Sequence, residues 1–286
     1  MIRRVIKKKS DHSDEAASFH DECTKFRGII QHATTVGNAI GQRDTGEVRA
    51  YASWLFVRAC LMARTIENAF DPLPTGFGSA QWLDHASITI LCRALIECIS
   101  VMLYIGDVDV SAEEWTCRKL VFILHELVNR TSFLASIDYR FDTDLRERQF
   151  DYAKTKLSEN AFFKTLPEKR RKRLLDGEDM YVNGRHEAML TFGWGDKLTR
   201  GMYKYLSNQA HSLPMAFSRT LDNSLYTNDS AGAKVTAGFG IEFARKALGR
   251  GCVHMLHLFP DTELAIDQII STALKTAYSP TKAATP

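Results

Sequence analysis

Two stretches hold the residues whose types and spacing could do chemistry. Arg93 and Glu97 are the sole charges in the eighteen-residue apolar run Ile88 to Ile105, ITILCRALIECISVMLYI. Later, YKYLSNQAH carries Tyr203, Ser207 and His211 at i, i+4 and i+8. A guanidinium binds phosphate or carboxylate, an imidazole moves protons near neutral pH, and tyrosine and serine hydroxyls orient what is held. At about 100° per residue, Thr89, Arg93, Glu97, Ser100 and Tyr104 form one stripe on a helix. Tyr203, Ser207 and His211, with Arg200 nearby, border a face of Met202, Leu206, Ala210 and Leu213. If the two polar edges meet, Arg93, Glu97, Ser207 and His211 form a catalytic set, and Tyr104, Tyr203 and Arg200 line it as ligand-binding groups. The ligand expected there carries phosphate, as RNA or a nucleotide does.

A plainer reading uses the same residues. Arg93 and Glu97 have the spacing of an i,i+4 ion pair, and the stripe then serves as a structural salt-bridge network in a non-enzymatic interaction or scaffold protein, or as a self-association surface of a homo-oligomer. Serine hydrolysis is a poor fit, because i,i+4 neighbours align badly as base and nucleophile and no G-x-S-x-G elbow occurs. A membrane span is disfavoured too, since Arg and Glu near its centre each penalise insertion, Arg by about 2.5 to 3.5 kcal/mol.

The pairing of R-x-x-x-E in an apolar helix (Arg93, Glu97) with Y-x-x-L-S-x-x-x-H (Tyr203, Leu206, Ser207, His211) resembles a family of bacterial and phage-associated helical proteins. More distantly it resembles the HEPN superfamily of helical ribonucleases, toxins and defence proteins. The resemblance implies an all-helical fold and, through the distant relation, RNA as ligand in a defence or toxin-like setting; the nearer family implies no activity. The HEPN nuclease signature has an Arg separated from a later His by four to six intervening residues. Ahead of His211 those positions hold Lys204, Tyr205 and Leu206. The spacing does occur at Arg27 with His32, Arg118 with His125 and Arg250 with His257, where chance alone gives roughly two matches. Arg93, supplied from another helix, would have to replace the missing Arg.

The elements that must position these groups read as helices throughout. The spacing predicts helices over 14–38 (capped by Ser13), from Glu47 to a stop at Asp71 and Pro72, from 81 to 106, from a Ser111/Glu114 capping box to about 135, over 142–160, over 167–175, over 200–218 with a break at Pro214, and over 235–258 and 261–278. Loops are expected at 72–80 and 222–232, and a long irregular connection at 176–199. No alternating run argues for a sheet. The expectation is an all-α bundle of about eight helices in one domain, 14–278, between a basic flexible segment 1–13 and a disordered tail 279–286.

Composition sets the remaining bounds. Of 286 residues, 45% are hydrophobic and 25% charged, with a formal net charge of +3, too small to imply nucleic acid by itself. Six cysteines without a C-x-x-C pair, and no apolar segment after the basic start, point to a reducing, cytoplasmic setting. Lys169, Arg170, Arg171, Lys172 and Arg173 offer a weak nucleic-acid contact, blunted by Asp176, Glu178 and Asp179. His254 and His257 lack further metal ligands in sequence, and adjacent His20, Asp21 and Glu22 point in different directions on a helix, so no metal or cofactor is expected. Phe192 and Trp194 read as a plug at one end of the bundle, or as a flap over His211.

Overall fold

The computed structural model describes residues 12–74, 81–139, 143–214 and 230–280. The basic start, the tail beyond 280, most of the loop at 75–80 and the stretch 215–229, including the end of the expected helix to 218, lie outside the described residues. The fold is all-α: 79% of it is helical. Eleven helices occur among the described residues: α1 (His12–Ile40), α2 (Glu47–Asn68), α3 (His85–Ile105), α4 (Ala112–Ser136), α5 (Thr143–Glu159), α6 (Ala161–Thr165), α7 (Glu168–Leu175), α8 (Arg185–Leu190), α9 (Asp196–Ala210), α10 (Ala231–Leu258) and α11 (Gln268–Tyr278). A 3₁₀ turn, Pro260–Leu264, precedes α11. A two-residue antiparallel pair, β1 (Leu73–Pro74) with β2 (Gln81–Trp82), is too short for an alternating pattern to announce it.

Helix ends follow from local chemistry. Ser111 accepts from the Glu114 amide at 3.1 Å, whereas the Glu114 side chain pairs with Arg118 and leaves the other half of the capping box unmade. Ser230 and Asp267 cap α10 and α11 in the same way. Three helices close with a left-handed residue whose amide and the next amide turn back onto the final carbonyls. Gly177 does this after α7, Asp138 after α4 and Ser212 after α9. At Gly177 (φ +68°) a Cβ would also run into Val128. The expected irregular stretch 176–199 is broken by α8, and α9 begins at Asp196, four residues before Arg200. Glycines in the left-handed region, Gly184 and Gly195, stand at both of those helix starts in place of a side-chain cap.

Within the span read as one domain, contacts group into two compact units, Met1–Met102 with Phe192–Pro286, and Leu103–Thr191. In the first, α1 packs along α10, α2 against both, and α11 against α10. Small residues let α3 come close to α10: a Cβ on Gly240 would touch Thr89 and Cys92, and one on Gly251 would press on Ile99. Ile88, Leu95, Ile96, Ile99 and Met102 of α3 are fully buried there. Glu22 of α1 accepts from Arg245 of α10 at 3.0 Å, and Arg245 also donates to the Tyr278 hydroxyl of α11 at 3.0 Å. In the second unit α4 packs on α5, α6 and α7 around Leu120, Leu124, Leu157, Phe163 and Leu174.

Among the described residues α3 is the one helix long and apolar enough to cross a membrane, and 67% of its apolar window is buried within the protein. All six cysteines are free. Burial pushes the Cys60 and Cys98 thiols up to about 11 and those of Cys23 and Cys117 up to about 12.

A candidate anion site between α3 and α9

Each polar side chain is placed by the apolar face beneath it. On α9, Met202 and Leu206 are buried together with Thr199 and Gln209, which turns Tyr203 and Ser207 to the half-buried flank. The helix ends at Ala210, so His211 is its C-cap, with its amide on the Ser207 carbonyl at 3.1 Å. The turn continues through Ser212, a non-glycine residue at φ +47°, whose amide and that of Leu213 return to Gln209 and Asn208. Leu213, expected on the buried face, is 43% exposed, because the helix has already turned away.

Against this edge α3 presents its charged pair. Arg93 Nε and Nη2 each lie 3.2 Å from Glu97 Oε1, the ion pair that the spacing implies. Arg93 Nη2 also donates to the Tyr203 hydroxyl at 3.2 Å, and the guanidinium carbon lies 5.2 Å from that ring's centroid. Nη1 stands 3.5 Å from His211 Nε2. A guanidinium can only donate, so in a hydrogen bond between the two Nε2 would be the acceptor. The Arg93 side chain is 15% exposed and that of Glu97 36%, with the contact to His211 on the solvent side. So a fixed cation, a hydroxyl, a carboxylate and a titratable ring share one patch with access to water. An oxyanion at its lip would take donors from Nη1 and from an imidazole N–H of His211.

The other expected members are elsewhere. Ser207 lies on the same flank, but among the described residues its hydroxyl makes no hydrogen bond to Arg93, Tyr203 or His211. Arg200 turns back to Asp196 at 3.0 Å on an exposed surface, the i,i+4 pairing of its own helix. Tyr104 belongs to the other unit. There its hydroxyl accepts from the Val182 amide at 2.9 Å, Arg118 stacks 4.6 Å from its ring, and burial raises its pKa. Thr89 and Ser100 are buried, so the stripe is not one continuous site.

The basic run also divides. Arg170 donates to the Val182 and Tyr181 carbonyls and to Asp179, and Arg173 pairs with Glu178. Burial works to raise the Asp179 carboxyl, but the Tyr181 amide and Arg170 hold it below its ordinary value. Lys169 and Lys172 are exposed and Arg171 is half-buried. Phe192 stacks on Trp194 at 4.4 Å, and Trp194 meets Phe243 edge-on at 5.0 Å, the arrangement of a plug. His254 is buried and His257 exposed, and the described residues hold no group of three side chains suited to a metal.

Sequence reasoning missed Arg118, which gathers the Tyr104 carbonyl, Asp107 and Glu114 in the second unit. Its spacing to Glu114 was a usable signal. It also missed Ser212, for which sequence carries no signal, because serine is ordinary at every other backbone position. Comparisons with protein-family models, with curated proteins and with solved structures give no match.

Proposed function

We propose that the α3–α9 cluster binds a phosphate-bearing ligand, RNA or a nucleotide, with Arg93 as its anchor and His211 as the group that exchanges a proton with it. The observation that carries this reading is the exposed approach of Arg93 Nη1 to His211 Nε2. It brings an arginine beside a histidine from two different helices, the pairing that the HEPN resemblance needs and that local sequence around His211 lacks. The free cysteines support a reducing, cytoplasmic setting, and the resemblance supports a defence or toxin-like role. The test uses the purified full chain with fluorescent RNA oligonucleotides and with nucleotides. Cleavage or binding should fall at least about a hundredfold in Arg93→Ala and His211→Ala, the scale of a lost acid–base group. Turnover or binding indifferent to both substitutions, or none at all, overturns it.

The scaffold reading is favoured by a different observation: Arg93 is largely covered and already meets Glu97 and Tyr203. On that reading, replacing Arg93 and Glu97 together by Met and Leu costs no more than the lost Arg93–Tyr203 contacts, because the pair itself, with Glu97 partly exposed, contributes little.

A further inference from the structure

The second unit holds a cleft of about 450 Å³ that the α3–α9 site does not use. Ser158 of α5, Phe163 and Lys164 of α6, and a face of α7 and its C-cap (Glu168, Arg171, Lys172, Leu175, Asp176) line it. These α7 positions are i, i+3, i+4, i+7 and i+8, one side of a helix. The opposite side carries Arg170 and Arg173, both consumed in structural pairs with Asp179 and Glu178. Lys164, Arg171 and Lys172 make no ion pair among the described residues, and neither do Glu168 and Asp176. Lys172 in the last turn suits the helix dipole. Arg171 is half-buried without an ion pair in a cleft that the buried Phe163 also lines.

The cleft therefore offers three cations, two carboxylates and an apolar floor within the size range of small-ligand sites. A bare polyanion would meet two repelling carboxylates. An ordinary apolar molecule would leave three cations unused. The lining suits a ligand with an anionic end, a flat body and hydrogen-bond donors at the far end. We propose that this cleft is a nucleotide site that takes a guanine nucleotide. Its phosphate engages Arg171, Lys172 and Lys164, its base lies against Leu175 and Phe163, and a carboxylate of Glu168 or Asp176 accepts from the paired N1–H and N2–H groups. A carboxylate takes two parallel donors well; the adenine edge presents no such pair.

The cleft shares no residue with the α3–α9 cluster, so either reading can fail without the other. Calorimetric titration of the full chain with GMP, AMP and inorganic phosphate tests it. GMP should bind at least about tenfold more tightly than AMP, a difference of about 1.4 kcal/mol. Arg171→Gln should weaken both nucleotides at least tenfold, and Glu168→Gln with Asp176→Asn should abolish the preference for GMP while leaving nucleotide binding. If Arg171→Gln fails to fold, Lys172→Glu on the exposed lip gives the same readout. Equal affinity for GMP, AMP and phosphate, no heat at millimolar ligand, or binding of oligonucleotides alone overturns the proposal.

Discussion

Replacing Arg93 by Met keeps the aliphatic stem in its packing while removing the charge and all five N–H donors. Its hydrogen bond to the Tyr203 hydroxyl, at 3.2 Å, has a charged donor but a long reach; such bonds are worth about 1.5 to 3 kcal/mol, and this one belongs at the lower end. The guanidinium 5.2 Å from the Tyr203 centroid adds about 0.5 to 1 kcal/mol. The pair with Glu97, whose side chain is 36% exposed, contributes no more than about 0.5 kcal/mol. At 3.5 Å the approach to His211 contributes little to stability, which is why it is free to serve a ligand. Arg93→Met should therefore cost about 2 to 3 kcal/mol, Tyr203→Phe about 1.5, and Glu97→Gln under about 0.5. The Arg93–Tyr203 double-mutant cycle should give a coupling of about 1 to 2 kcal/mol. The effect is local to α3 and α9, so the readout is hydrogen exchange of their amides under mild denaturant. An Arg93→Met protein whose α9 exchanges at the wild-type rate would refute the claim that this side chain fastens α9 to α3.

Three further expectations follow from the packing and the titrating groups. A Cβ on Gly249 would lie 2.5 to 2.6 Å from the Tyr278 ring, so Gly249→Ala should displace α11, break the Arg245–Tyr278 hydrogen bond and cost about 1 to 3 kcal/mol; faster exchange confined to α11 and the adjoining part of α10 is the check. Ser212→Gly relieves a left-handed serine at φ +47° and should stabilise by about 0.5 to 1 kcal/mol by thermal melting, while binding at His211 is unchanged. Because burial raises the Cys60 and Cys98 thiols to about 11, the unfolded chain ionises first as pH rises past the ordinary thiol value. Stability from this source is complete below about pH 8.5 and is lost as pH climbs toward 11. Urea midpoints at pH 7, 9 and 10 report it, and a midpoint that rises over that interval contradicts it.

What was legible in the sequence, and what was not, divides along physical lines. Two opposite charges in an apolar helix announce a need for polar company, since uncompensated charge in a core is expensive; Tyr203 and His211 supply that company. Periodicity, by contrast, measures hydrophobicity but not the room between helices. Trp54 of α2 is 67% exposed, because the inward face is built of Ala52, Ala59 and Ala63 with Phe56 and Ile66, a set that permits close approach. The start of α9 was hidden for another reason. Gly195 begins it at φ +76° without a capping side chain, so the usual Ser, Thr, Asp or Asn before a helix is missing. The stripe on α3 misled about Tyr104 because a helix keeps its polar line while its surroundings change: Arg93 finds α9, and Tyr104 finds the Val182 amide. The same holds for KRRKR, five cations in a row that the helix separates into a structural side and a cleft side. Residue type marks where polar chemistry is needed, and the neighbours that each turn acquires decide whether it becomes a fastener or a site.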